Sequence, residues 1–386
     1  MGTSRALSAA GLGGTAALAA ALGGASWYYA DRITEPPGAR PAAPTDADRV
    51  EVVAATDSHL TLRGPNAARP GWWGVRWPDR PGADTGGYAR VGPPLSVART
   101  VVRPVEFLVG DPAPGTLGLL DATAAPADPA ALPDMGGAAT ERIVDGPLGA
   151  LPAWCWEAAS STWAILVHGR SGARNETFRL VPPLVGVGLP TMAVSYRNDP
   201  DGPPSPDGRS HLGATEWEDV EAAVAWALDH GARDVVLVGL SMGGACIGEL
   251  LVRSPLAVHV RALVLDAPVL DWGPVIRRAA LERGLPPALL RLLLPPTMAL
   301  AGRRSPIDWA GLRHFHDPGD FDRPTLLFHG GADAIVPVEL ADAFAATRDD
   351  VVTYVRTEGA GHLRSWNLAR VRYEHALTDF VRALAP

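Results

Sequence analysis

Residues 234–245 read DVVLVGLSMGGA, an apolar run that ends where two glycines bracket a serine. A short, continuous apolar run bounded by glycine has the pattern of a strand buried on both faces. Burial on both faces belongs to parallel sheets covered by helices. The run leads into Gly239-Leu240-Ser241-Met242-Gly243, a G-x-S-x-G spacing. A strand that turns sharply into a helix there leaves a serine hydroxyl exposed at the sheet edge, and the crowded turn excludes Cβ atoms at the flanking positions. The first amides of the helix point to the same place and favour a developing anion.

The rest of the C-terminal two thirds fits such a sheet. Apolar strand-like runs at Thr162–His168, Thr191–Tyr196, Asp234–Leu240, Ala262–Asp266, Thr325–His329 and Val351–Arg356 alternate with helical patterns around Glu176–Val185, Glu216–Asp229, Gly243–Arg253, Glu339–Thr347 and Asn367–Ala385. Alternation of this kind predicts an α/β fold with a mostly parallel sheet between helices. Residues 271–322 break the rhythm with Pro-punctuated amphipathic pieces and predict a helical cap insertion. Before this unit, residues 49–140 carry short β-like runs such as VEVVAA, HLTLRG and VEFLVG between turn residues, and predict a small β-rich module.

A serine hydroxyl becomes a nucleophile only beside a base, and the base needs an orienting carboxylate. His362 follows the strand VVTYVR and Asp333 follows the strand TLLFHG. Both therefore lie beyond strand ends, where open parallel sheets bind ligands. Ser241, Asp333 and His362 are the expected nucleophile, acid and base, with Asp271 as a rival acid. The oxyanion needs two donors: the amide of Met242, and that of Arg170 in the His168-Gly169-Arg170 loop, where Gly169 permits close approach. His168 is expected to orient that loop, and His329 to be structural. Cys246 and Cys155 are expected to pack, and His314 with His316 forms too small a set for a metal site. This chemistry requires no cofactor and no metal.

These motifs resemble the α/β-hydrolase superfamily of serine hydrolases over residues 141–386. They are His168-Gly169, the Gly239 to Gly243 elbow, Asp266-Ala-Pro268, His329-Gly-Gly-Ala-Asp333 and Gly361-His362. The likeness is greatest to the prolyl-oligopeptidase-like and carboxylesterase-like branches. It implies an ester-cleaving enzyme acting through an acyl-enzyme on a small-molecule ester or acyl substrate. A serine peptidase, a thioesterase or acyltransferase, and a non-catalytic binding protein on the same fold are the alternatives. Apolar residues of the insertion, Trp272 and Phe315 among them, are expected to cover Ser241 and to form an acyl pocket.

Residues 6–30 carry no charge, and as a helix would reach roughly 37 Å, enough to cross a bilayer core. The expectation for residues 1–30 is a signal peptide or a membrane anchor, with Trp27, Tyr28 and Tyr29 at the interface, followed by a linker over 31–48. The catalytic domain would then be membrane-anchored or exported. All 34 basic residues are arginine, which excludes a Schiff-base lysine, and a net charge of −8 argues against nucleic acid as a partner. Two cysteines cannot build a disulfide framework. No protein partner is evident from the pattern.

Overall fold

The computed structural model describes residues 20–36, 48–78, 86–132, 137–314 and 322–384. A helix, α1, spans residues 20–34. The N-terminal strands are β1 (Arg49–Ala55), β2 (His59–Arg63), β3 (Trp73–Arg76), β4 (Tyr88–Val91), β5 (Ser96–Val97), β6 (Val101–Val109) and β7 (Thr116–Asp121). They run in the order β2-β1-β7-β3-β4-β6-β5, all antiparallel, and β2 also pairs with β6. That last pairing closes six strands into a barrel. Alternation fills it: Val50 and Val52 of β1 face inward with Leu60 and Leu62 of β2, Val75, Ala89 and Leu120.

Two arginines of this module are buried, Arg90 and Arg103. Arg103 of β6 is fully buried, and among the described residues no carboxylate partners it. It donates instead to four backbone carbonyls: Gly92 at 2.8 Å, Ala67 at 3.0 Å, Arg69 at 2.8 Å, and Gly71. Its guanidinium therefore holds the loop between β2 and β3 against the barrel, and burial pushes its pKa down to about 10.

The second sheet contains β8 (Thr140–Gly146), β9 (Gly149–Trp156), β10 (Thr162–Val167), β11 (Thr191–Val194), β12 (Asp234–Leu240), β13 (Val260–Asp266), β14 (Thr325–Gly330) and β15 (Val352–Thr357). Its order is β15-β14-β13-β12-β10-β11-β9-β8. From β15 to β11 neighbours are parallel, and the β8–β9 hairpin is added antiparallel. The helices are α2 (Val181–Gly186), α3 (Trp217–Asp229), α4 (Met242–Arg253), α5 (Trp272–Glu282), α6 (Pro287–Arg304), α7 (Val338–Thr347) and α8 (Ser365–Ala383). Successive residues of β12 feed opposite cores. Val235 and Leu237 pack with α3, α4 and α7, whereas Val236 and Val238 pack with α2 and α8. Tyr88 and Phe107 of the barrel join the second core, so the barrel docks on the α8 side.

The described part of the insertion is helical, as expected, and holds α5 and α6. Residues 31–34, by contrast, finish α1 and do not begin a linker. The helix packs on the body through buried Ser26, Ala30 and Thr34. Among the described residues no helix is long and apolar enough to cross a membrane; residues 6–19 lie outside them.

Arg103→Met should be strongly destabilising. Each carbonyl it orphans costs about 1–3 kcal/mol where water cannot replace the donor, so a loss on the order of 3 kcal/mol or more is expected. A urea unfolding midpoint equal to that of the parent chain would contradict this account of the loop.

Candidate functional site

Strand β12 turns into α4 at Ser241, whose φ of 50° and ψ of −112° lie outside the regions that side chains ordinarily occupy. The turn is that tight because α4 starts almost on top of β10: a Cβ at Gly243 would fall 2.2 Å from the carbonyl oxygen of Val167. The turn is tied to the next strand end, with Ser241 N–H donating to Asp266 O at 3.0 Å and Val269 N–H donating to Ser241 O at 3.0 Å.

The three residues expected to act together are brought together. Ser241 Oγ lies 3.0 Å from His362 Nε2, and His362 Nδ1 lies 2.7 Å from Asp333 Oδ2. Asp333 comes from the loop after β14 and His362 from the loop after β15, both at the same sheet edge as Ser241. The other oxygen of Asp333 accepts the N–H groups of Ile335, at 2.8 Å, and Val336, at 2.9 Å. Burial alone would raise the pKa of this carboxyl. Hydrogen bonds from His329 and His362, with the Ile335 amide, hold it well below the usual range. Asp271 is elsewhere: it caps α5 through Gly273 N–H and pairs with Arg313.

The loop after β10 approaches from the other side. A Cβ at Gly169 would come within 3.1 Å of Ser241 Cβ. Among the described residues, neither the Arg170 N–H nor the Met242 N–H is donated to another protein group. His168 is fully buried beneath them, with Nε2 at 2.8 Å from Asp199 Oδ2 and Nδ1 at 2.9 Å from Gly169 O. Burial lowers its pKa, but the Asp199 carboxylate and the Gly169 carbonyl outweigh it and favour the imidazolium. His329 packs behind Asp333, with Nε2 at 3.1 Å from Val336 O. Both histidines thus hold loops in place.

A cavity of about 680 Å³ opens at His362, between the barrel and the body. Arg69, Trp73 and Asp121 line it from the barrel side, and Glu176, His362 and Arg364 from the body. No described residue of 271–314 lines the cavity. Trp272 is buried, its indole N–H given to Leu212 O at 2.9 Å, because α5 starts against the α3–α4 core. Phe315 lies outside the described residues, as does His316. The barrel residues at the cavity carry no local motif that would betray them. Arg364, two positions after His362, was within reach of sequence reasoning. Both cysteines are buried, and burial pushes the Cys155 thiol up to about 12 and that of Cys246 well above its ordinary range. Among the described residues no three His, Cys, Asp or Glu side chains are placed to hold a metal ion.

Comparison with known proteins agrees with this architecture. Residues 50–121 match a domain of unknown function, and thus delimit the barrel. An uncharacterised protein of Mycobacterium tuberculosis, Rv2307c, is 30% identical over 206 residues, which are 52% of this chain. The chain spans 62% of the length of that relative. The Pyrococcus furiosus esterase Pf2001 superposes with a TM-score of 0.51 at 20% identity, over 64% of this chain and 92% of its own. Residues 164–376, more than half of the chain and including the whole Ser241, Asp333 and His362 constellation, match the alpha/beta hydrolase family, and the chain belongs to that family.

Proposed function

We propose that the protein is a serine hydrolase that cleaves carboxylic esters through an acyl-enzyme. The observation that carries this reading is the continuous relay from Ser241 Oγ through His362 to Asp333, at 3.0 and 2.7 Å, set on a strained elbow. Ser241 Oγ attacks the ester carbonyl carbon as its proton passes to His362 Nε2. The carbonyl π pair moves to the oxygen, which the free N–H groups of Met242 and Arg170 receive. Collapse breaks the bond to the alcohol, which leaves with the proton from His362. Water then repeats the sequence on the acyl-enzyme and releases the acid. Asp333 keeps the proton of His362 on Nδ1, so that Nε2 is free to accept.

Ser241→Ala should abolish labelling by a fluorophosphonate probe and lower kcat on p-nitrophenyl esters by about 10⁶-fold, the size seen when a triad acts as a unit. Wild-type turnover by this variant would overturn the assignment. An ester and peptide panel on the wild-type chain separates an esterase from a peptidase.

The pH dependence has a definite sign. His362 must be neutral to accept the proton, so kcat/KM rises with pH as the imidazole loses its own. Asp333 is held well below the usual carboxylate range and stays ionised throughout that rise. The acid limb should therefore follow a single ionisation with unit slope. A limb of slope two would show a second group titrating with the histidine.

A further inference from the structure

The cavity at His362 contains an arginine that forms no ion pair with any described residue. Arg364 lies two residues beyond His362, just before α8, and lines the cavity. Its protein hydrogen bond is a long one, from Nη1 to Leu363 O at 3.5 Å. No carboxylate of the described residues lies within ion-pair distance, and the guanidinium instead stands 5.8 Å over the Trp73 ring. Burial, with Arg179 nearby, pushes its pKa down to about 10 against the pull of Glu176 and Asp121, so the part-buried guanidinium is charged at neutral pH. The acidic groups of the same wall are engaged. Asp48 pairs with Arg69 at 3.0 Å. Asp121 accepts the Tyr88 hydroxyl and the Thr123 N–H, each at 2.9 Å. Glu176 accepts the Gly169 N–H at 3.0 Å.

A part-buried cation without an ion pair, on the same cavity wall as His362, can take an anionic partner from outside the protein. We infer that Arg364 receives a carboxylate of the substrate, so that the esters cleaved at Ser241 carry an anionic group. This rests on the serine hydrolase reading and narrows its substrate class. A monoanion fits better than a phosphate dianion, because three carboxylates, those of Asp48, Asp121 and Glu176, share the wall. The guanidinium fork matches a carboxylate in two-point contact.

The test compares matched esters on the full-length chain. In one pair the acyl part of a 4-nitrophenyl ester ends in a carboxylate (adipate half-ester) or in the uncharged carboxamide. In the other the difference sits on a benzoate-type alcohol. In at least one pair the anionic ester should have a kcat/KM at least about tenfold higher. Arg364→Met should bring that ratio to about one and Arg364→Lys should restore part of it, whereas Arg283→Met, at an exposed position outside the cavity lining, should leave it at the wild-type value. Calorimetry of adipate with Ser241→Ala protein supplies a readout without turnover, and binding should be lost when Arg364→Met is added. Hydrolysis of all the esters with no anionic preference and no Arg364-dependent binding would overturn the inference while leaving the hydrolase intact. A preference for cationic esters would overturn it equally. Arg364-dependent adipate binding without ester hydrolysis would uphold the anion site and sink the hydrolase reading.

Discussion

The close approach of α4 to β10 is the constraint on which the site depends. With a hydrogen atom at position 243, the helix can begin against the Val167 carbonyl. Any side chain there would push it away and relax the turn. Ser241 is thereby held in a conformation that costs on the order of 1–3 kcal/mol. Its backbone bonds to Asp266 and Val269 keep it there. The result is a hydroxyl fixed where the ends of β10, β12 and β13 meet, within range of the loops that follow β14 and β15. The elbow thus determines the position from which Asp333 and His362 must reach.

That part of the molecule was readable because its physics is local. Strands buried on both faces leave continuous apolar runs, as β11 to β14 do, and β10 to β15 lie close to the runs seen in the sequence. A residue just beyond such a run lies at the sheet edge, which is how Asp333 and His362 could be paired with Ser241. The β8–β9 hairpin was not readable. Apart from Val144, β8 is intermediate or exposed throughout, so it leaves no apolar signature. Closure of the barrel was hidden for another reason. The β2–β6 pairing joins segments on opposite sides of three intervening strands, and register across such a gap is decided by packing and not by either segment alone.

The cavity wall shows the same limit more sharply. Apolar residues in an insertion between β13 and β14 suggested an acyl pocket over Ser241, yet α5 uses Trp272 to bury itself against the α3–α4 core. Among the described residues, the space beside His362 is closed on one side by the barrel, through a loop that Arg103 holds from inside. Asn367 in the first turn of α8 joins the two units, donating to Trp72 O at 2.8 Å and Ala122 O at 3.0 Å. Arg69 and Asp121 therefore stand near His362 through contacts between residues more than two hundred positions apart. The wall they make is polar, which changes the chemistry expected of the substrate.

The N-terminal segment enters the same network from the opposite side. The last carbonyls of a helix lack partners within it, and a cation satisfies them well. At the end of α1 that cation is Arg170, whose Nη2 donates to Ile33 O at 3.0 Å and Glu35 O at 2.7 Å. Thr34 O accepts the Ser210 N–H at 2.9 Å, and Asp31 pairs with Arg209 at 2.9 Å and with Arg304 of α6. Arg170 also carries one of the two amides assigned to the oxyanion. The side chain that fastens α1 and the backbone group that would receive the developing charge belong to one residue. A segment whose sequence reads as leader and linker is in this way fastened to the loop that frames Ser241.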